Sequence, residues 1–197
     1  MTDLFFALVS TYGTLLIAVA TFLSCLAIPI PSSFVMLAGG AFVASGDLGL
    51  WAVLLSSYGG AVLGDQTGFR AGRYGGARLE ARISRVPARA AVLARARAFV
   101  SRWGGPGVFF STWLVAPLGP WVNVAAGAAG MGALRFTLWD AAGEAVWVAL
   151  YVGLGYAFAA SIDDLAALMG NAVAALSAGA VALGLGALLI RAAKRRR

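Results

Sequence analysis

The chain has 197 residues, 61% of them hydrophobic and 12% charged, with a mean hydropathy of +0.86. A soluble domain of this length leaves too much of its area facing water to hide that much apolar surface, which excludes an ordinary globular protein. The net charge is +7, there is no histidine and Cys25 is the single cysteine, so a serine triad, an internal disulfide and a cysteine-rich metal site are excluded as well.

Taken in chain order, residues 4–24 are the first apolar run and predict a transmembrane helix. The run lacks the basic start of a secretory signal and more runs follow, so it reads as retained. Residues 25–47 carry Pro29 and Pro31 and the pair Gly39-Gly40. They are too short for two crossings of about 20 residues each, and predict a re-entrant hairpin with Pro29, Pro31 and Ser33 at its tip. Residues 48–69 predict a second transmembrane helix, ending at Arg70 and Arg73. In residues 77–103, Arg78, Arg82, Arg85 and Arg89 fall at helical spacing against Leu79, Ile83, Val86 and Leu93. That pattern predicts an interfacial amphipathic helix, broken or restarted near Pro87, lying on anionic lipid at the cytoplasmic surface.

Residues 104–134 are free of charge and interrupted by Pro106, Pro117 and Pro120. They predict a second re-entrant hairpin, with Pro117 and Pro120 at its tip. Residues 136–161 predict a transmembrane helix that carries Asp140 and Glu144, residues 165–190 predict another, and residues 191–197 are a basic tail. Nine of the fifteen basic residues lie between Arg70 and Arg102, and five more between Arg191 and Arg197. Flanking apolar runs, such clusters follow the positive-inside rule, and no recognition motif accompanies them, so nucleic acid is not an expected partner. Both clusters, and with them the C-terminus, are then cytoplasmic; with the N-terminus expected on that side too, each hairpin has to enter and leave on one face.

A repeat is visible beneath this order. Shifted by 88 positions, Pro29 falls on Pro117, Ala38-Gly39 on Ala126-Gly127 and Trp51 on Trp139. The expected architecture is therefore an all-α integral membrane domain with two oppositely oriented hairpins, an inverted repeat of the kind secondary transporters use.

Three stretches carry a resemblance. Pro29-Ile30-Pro31 with Ala38-Gly39, then "GDQTGFRAGRYGG" from Gly64 to Gly76, then "AGAAGMGALRF" from Ala126 to Phe136, resemble the DedA family of SNARE-associated or VTT-domain membrane proteins. Gly64, Asp65, Gly68, Phe69, Gly72 and Arg73 of the middle stretch are its most specific part. The resemblance implies the two-hairpin fold, a place in the bacterial inner membrane and lipid translocation. Its members are linked to undecaprenyl phosphate or phospholipid movement, some with dependence on proton-motive force. Where such proteins commonly have glutamates around the first proline motif, this chain has Ser24 and Ser33. It also has no arginine between Thr112 and Met131.

The residues allow a matching chemistry. Asp65 and Asp140 each lie five positions from an arginine, and Glu144 one helical turn beyond Asp140, about 13 Å from the basic edge at 1.5 Å per residue. A carboxyl at that depth is costly to retain without a role, and Asp65, Asp140 and Glu144 are the candidate proton-coupling groups of a transport cavity. They can also serve as bonds that hold helices together. Arg73 and Arg70 are candidates for a headgroup phosphate, with surface anchoring as the plain alternative. Asn123 either adds a hydrogen bond to that phosphate or caps broken backbone. The expected function is translocation of a phosphate-bearing lipid, possible proton coupling included. A passive phospholipid scramblase, an ion or small-solute transporter, and a non-transporting scaffold stay open. The expected partners are membrane lipids. No cofactor, metal or enzymatic activity is expected.

Overall fold

The computed structural model describes residues 2–115 and 118–159, and their regular elements are all helices. Pro117, the helix expected at residues 165–190 and the basic tail lie outside the described residues. Six helices follow one another: α1 (Thr2–Ser24), α2 (Ser32–Ala44), α3 (Leu50–Ile83), α4 (Pro87–Trp113), α5 (Gly119–Ala128) and α6 (Ala133–Ala157).

Local chemistry explains most of the boundaries. After α1 the chain turns through Ala27 at φ 61°, then passes Pro29 and Pro31 in tight turns, the Ile30 and Ser32 amides donating to the Ile28 and Ile30 carbonyls, and the prolines cannot continue a helix. Helix α2 starts at once behind Pro31, whose carbonyl accepts from the Phe34 and Val35 amides. Pro87 opens α4 at a position where its missing N–H is not needed. Helix α3 is kinked at Gly76 (φ 44°, ψ −140°) and α4 at Gly104 (φ 55°, ψ −128°). The second kink places Pro106 near the start of a fresh helical stretch, again where no donor is lost.

Residues 77–103 are thus the tail of α3 and the head of α4, which starts at Pro87. Residues 25–47 comprise the turn after α1, helix α2 and the turn that leads to α3.

Helix α1 packs along α3, α2 along α6, α3 along α5, and α4 against α5 and α6. Two core clusters result. Ile17, Met36, Val53 and Trp147 belong to the first; Phe69, Val108, Ala126 and Phe136 belong to the second. Phe69 and Phe136 stack with ring centroids 4.2 Å apart.

The two halves make the same contacts. A Cβ on Gly60 would strike the Ala18 carbonyl and Thr21 Oγ1, and one on Gly143 would strike the Phe109 carbonyl and Thr112 Oγ1. Gly40 lies against the Val152 carbonyl while Gly155 lies against the Leu37 carbonyl; likewise Gly127 meets the Phe69 carbonyl and Gly72 the Val124 carbonyl. The end of α1, α2 and α3 therefore correspond to the end of α4, α5 and α6, and each half lays its short helix on the other half's long one. The correspondence departs from the constant shift of 88. It pairs Thr21 with Thr112, Gly40 with Gly127 and Gly72 with Gly155, because the connections in the second half are shorter.

No described helix is both long and apolar enough to cross a membrane. Of the segments 48–69 and 136–161, expected as full spans, residues 50–69 and 136–157 are helical, but Asp65, Gln66, Asp140 and Glu144 interrupt their apolar character. The physical reason is that α3 and α6 turn polar groups towards each other. Asp65, Asp140 and Glu144 are 3%, 0% and 2% exposed, whereas Leu55, Leu63 and Leu138 on the outer faces are more than 60% exposed.

Candidate functional site

Helices α3 and α6 face each other along the line where the two halves join. Gln66 Nε2 donates to Thr137 Oγ1 at 3.0 Å, and one turn along, Phe69 stacks on Phe136. On the other side of Gln66, Asp65 meets Asp140 and Glu144. Two of these carboxyls come from α6 at a spacing of four residues, which puts both on one helix face.

Two further elements complete the cluster. Asn123, from α5, donates its Nδ2 to Asp65 Oδ1. Cys25, at the turn after α1, brings its Sγ to within 4.8 Å of a carboxylate oxygen of Asp65 and one of Glu144. Gly68 of α3 faces the Asn123 Cβ at 3.5 Å from where its own Cβ would stand, so α5 can come this close. The cluster is thus assembled from α1, α3, α5 and α6.

Its polar atoms are not all satisfied. Asn123 Oδ1, both oxygens of Asp140 and Glu144 Oε2 are buried without a hydrogen-bond partner. Carboxylates that face one another offer acceptors and no donor, so a shared proton or a cation is what would join them. Among the described residues no Lys or Arg balances these three groups.

A cavity of about 400 Å³ opens beside the cluster. Cys25, Gly68 and Ala71 form one wall, and Pro120, Trp121 and Val124 form another. Leu79, Ile83 and Arg89 border it from the amphipathic segment, so the lining is mostly apolar with one guanidinium.

The sequence-derived candidates sort accordingly. Asp65, Asp140, Glu144 and Asn123 come together, although Asn123 bonds a carboxyl and neither a phosphate nor backbone. Arg73 is elsewhere: its Nη1 donates to the Met131 carbonyl at 2.9 Å, tying α3 to the turn before α6. Arg70 is exposed on α3 and does not line the cavity. Pro29 and Pro31 are exposed and Ser33 half-buried at the start of α2, while Pro120 lies in the first turn of α5 and lines the cavity. Ser24 donates its hydroxyl to the Thr21 carbonyl at 2.9 Å.

Sequence reasoning missed Cys25, Gln66, Thr137 and Arg89 as parts of the site. Gln66 and Thr137 had a signal, since each is a polar residue beside or one turn from an acidic one inside an apolar run. Cys25 had none, because nothing in its spacing links it to Asp65 or Glu144.

A helical core joined at a buried acid cluster, with leucines on its outer faces, defines a class of membrane-associated proteins with a polar interior. The VTT domain model matches residues 30–157, and the chain belongs to the VTT-domain (DedA) family, which is generally linked to membrane transport. It is also 36% identical over 148 residues to an "uncharacterized membrane protein" of Synechocystis sp.. That alignment covers 74% of this chain and 66% of the relative, slightly less than two thirds of its length. No solved structure matches the chain.

Proposed function

We propose that this protein moves a phosphate-bearing lipid across the bacterial inner membrane, and that Asp65, Asp140 and Glu144 carry protons during the cycle. The observation that bears the reading is the acid cluster itself. Carboxyls from α3 and α6 meet where the two halves join, beside a cavity wide enough for a small headgroup or part of a chain. Secondary transporters place their sites at the interface between repeats, and ionisable groups buried in membrane domains serve ion and substrate pathways.

In this reading the arms 105–113 and α5 form one re-entrant hairpin, and the end of α1 with α2 the other. The exposed leucines of α3 and α6 face acyl chains, and the basic segment before Gly104 lies on anionic lipid at the cytoplasmic face. A phosphate entering the cavity meets Arg89, whose fork of N–H donors suits its oxygens. Protons exchanged within the cluster then change the charge presented to that phosphate. The protein breaks no covalent bond in this cycle and is not an enzyme.

Purified full-length protein in liposomes tests the proposal. Polyprenyl phosphate and phospholipid movement are followed with and without a pH gradient. Gradient-dependent movement of one of them, lost in Glu144→Gln and in Asp65→Asn, is expected. Movement that ignores the gradient and survives Glu144→Gln identifies a passive scramblase, and no movement of any lipid overturns the lipid reading.

A further inference from the structure

The acid cluster also has the donors of a metal site. Cys25 Sγ and one oxygen each of Asp65 and Glu144 lie within 4.8 Å of one another, and all three residues are buried. Asn123 is 1% exposed, and its amide is held to Asp65, which brings an unpartnered Oδ1 to the same group. Asp140, fully buried, adds two oxygens that accept no hydrogen bond. Buried oxygens left without donors, and carboxyls without a counter-charge, are the surroundings in which a cation is stabilised.

We propose that Cys25, Asp65 and Glu144 bind a divalent cation of the zinc class, with Asn123 holding Asp65 in place and Asp140 beside it. The donor set decides the class. A thiolate favours zinc, cadmium and cobalt(II) over magnesium and calcium, which prefer oxygen alone. Bonds of about 2.0–2.3 Å to oxygen and sulfur put donors around one ion less than about 4 Å apart. The three side chains therefore need to draw in by roughly an ångström, within the reach of small χ adjustments.

The ion has a route, since Cys25 is also a wall of the cavity. Binding displaces the protons of the thiol and of any protonated carboxyl, and those protons leave to solvent, so cation and proton compete for one site. No metal was expected of a chain with no histidine and a single cysteine. Only the packing of α1, α3 and α6 brings Cys25, Asp65 and Glu144 together. The site stands apart from the lipid reading: a chain that moves no lipid can still bind the ion.

Cobalt(II) titration of the full-length protein in detergent tests it. One Co2+ per chain is expected, with the near-ultraviolet thiolate-to-cobalt absorption, displaced by Zn2+ and not by excess Mg2+. Cys25→Ser should remove that absorption while the protein stays monodisperse on gel filtration. Asn123→Ala, which touches a ligand and not the ion, should weaken binding by about 10–100-fold. No stoichiometric Co2+, equal competition by Mg2+, or an unchanged affinity and spectrum in Cys25→Ser would overturn the proposal.

Discussion

Asp65 is the residue on which the site turns, because it touches partners from three other elements. Its bond from Asn123 is buried, and removing a partner from a buried polar group costs about 1–3 kcal/mol. Asn123→Ala should lower stability by that amount, read as a fall in thermal unfolding temperature in detergent. Asn123→Asp is the sharper variant, since it sets a further carboxylate against three others. Near neutral pH it should be less stable than Asn123→Ala. As the pH falls the added carboxyl gains a proton, the repulsion disappears and its O–H can donate to Asp65, so the gap should close. A gap that widens in acid would contradict the cluster as described. Arg73 behaves differently. It is exposed and holds the Met131 carbonyl, so Arg73→Ala should cost no more than about 1.5 kcal/mol by the same unfolding measurement.

Helices in this protein meet through glycines set against carbonyls, and the energetics of each crossing follow from that closeness. A Cβ at Gly127 would stand 2.0 Å from the Phe69 carbonyl oxygen, and one at Gly155 2.0 Å from that of Leu37. Neither neighbour is a side chain that can swing away, so the helices themselves have to move. Gly127→Ala and Gly155→Ala should each destabilise by about 1–3 kcal/mol or more. Gly59→Ala, on the same long helix as Gly60 but with no described atom within 4 Å, should be neutral or slightly stabilising through helix propensity. Equal effects at the three sites, measured by thermal unfolding, would refute the crossings. Because α2 and α5 each lie on the other half's long helix, loosening one crossing also shifts a wall of the acid cluster. The functional defect of Gly127→Ala should therefore exceed that of Asn123→Ala at matched stability.

At the scale of the molecule, residues 104–134 end near where they begin. A Cβ at Gly104 would lie 3.3 Å from Arg135 Nη2, so the two ends of residues 104–134 are neighbours. Single cysteines replacing the exposed Arg102 and Ala133, in a Cys25→Ser background, should react with an impermeant maleimide from the same face of the membrane. Labelling from opposite faces would show that the segment crosses. Along α3 and α6 the buried groups include carboxyls and the outer faces carry leucines. That is why α3 and α6 fall short of an apolar span when each is measured alone.

Much of the architecture was legible in the chain. Apolar content excluded a water-soluble globule, prolines and glycines marked where helices stop, and the Asp140 to Glu144 spacing put two carboxyls on one face. These are local properties, set by backbone geometry and by the period of the helix. The repeat was legible in outline, since the shift of 88 comes within one position of the matched pair Gly40 and Gly127. Its true register was not, since shorter connections in the second half slide the long helices out of step. What only the tertiary structure decided is which residues meet. Asn123 could not be assigned to Asp65, nor Cys25 to Asp65 and Glu144, because such contacts join residues far apart in sequence. They depend on glycines that let helices approach to carbonyl distance, and that closeness is a property of pairs of helices, which no single stretch of sequence contains.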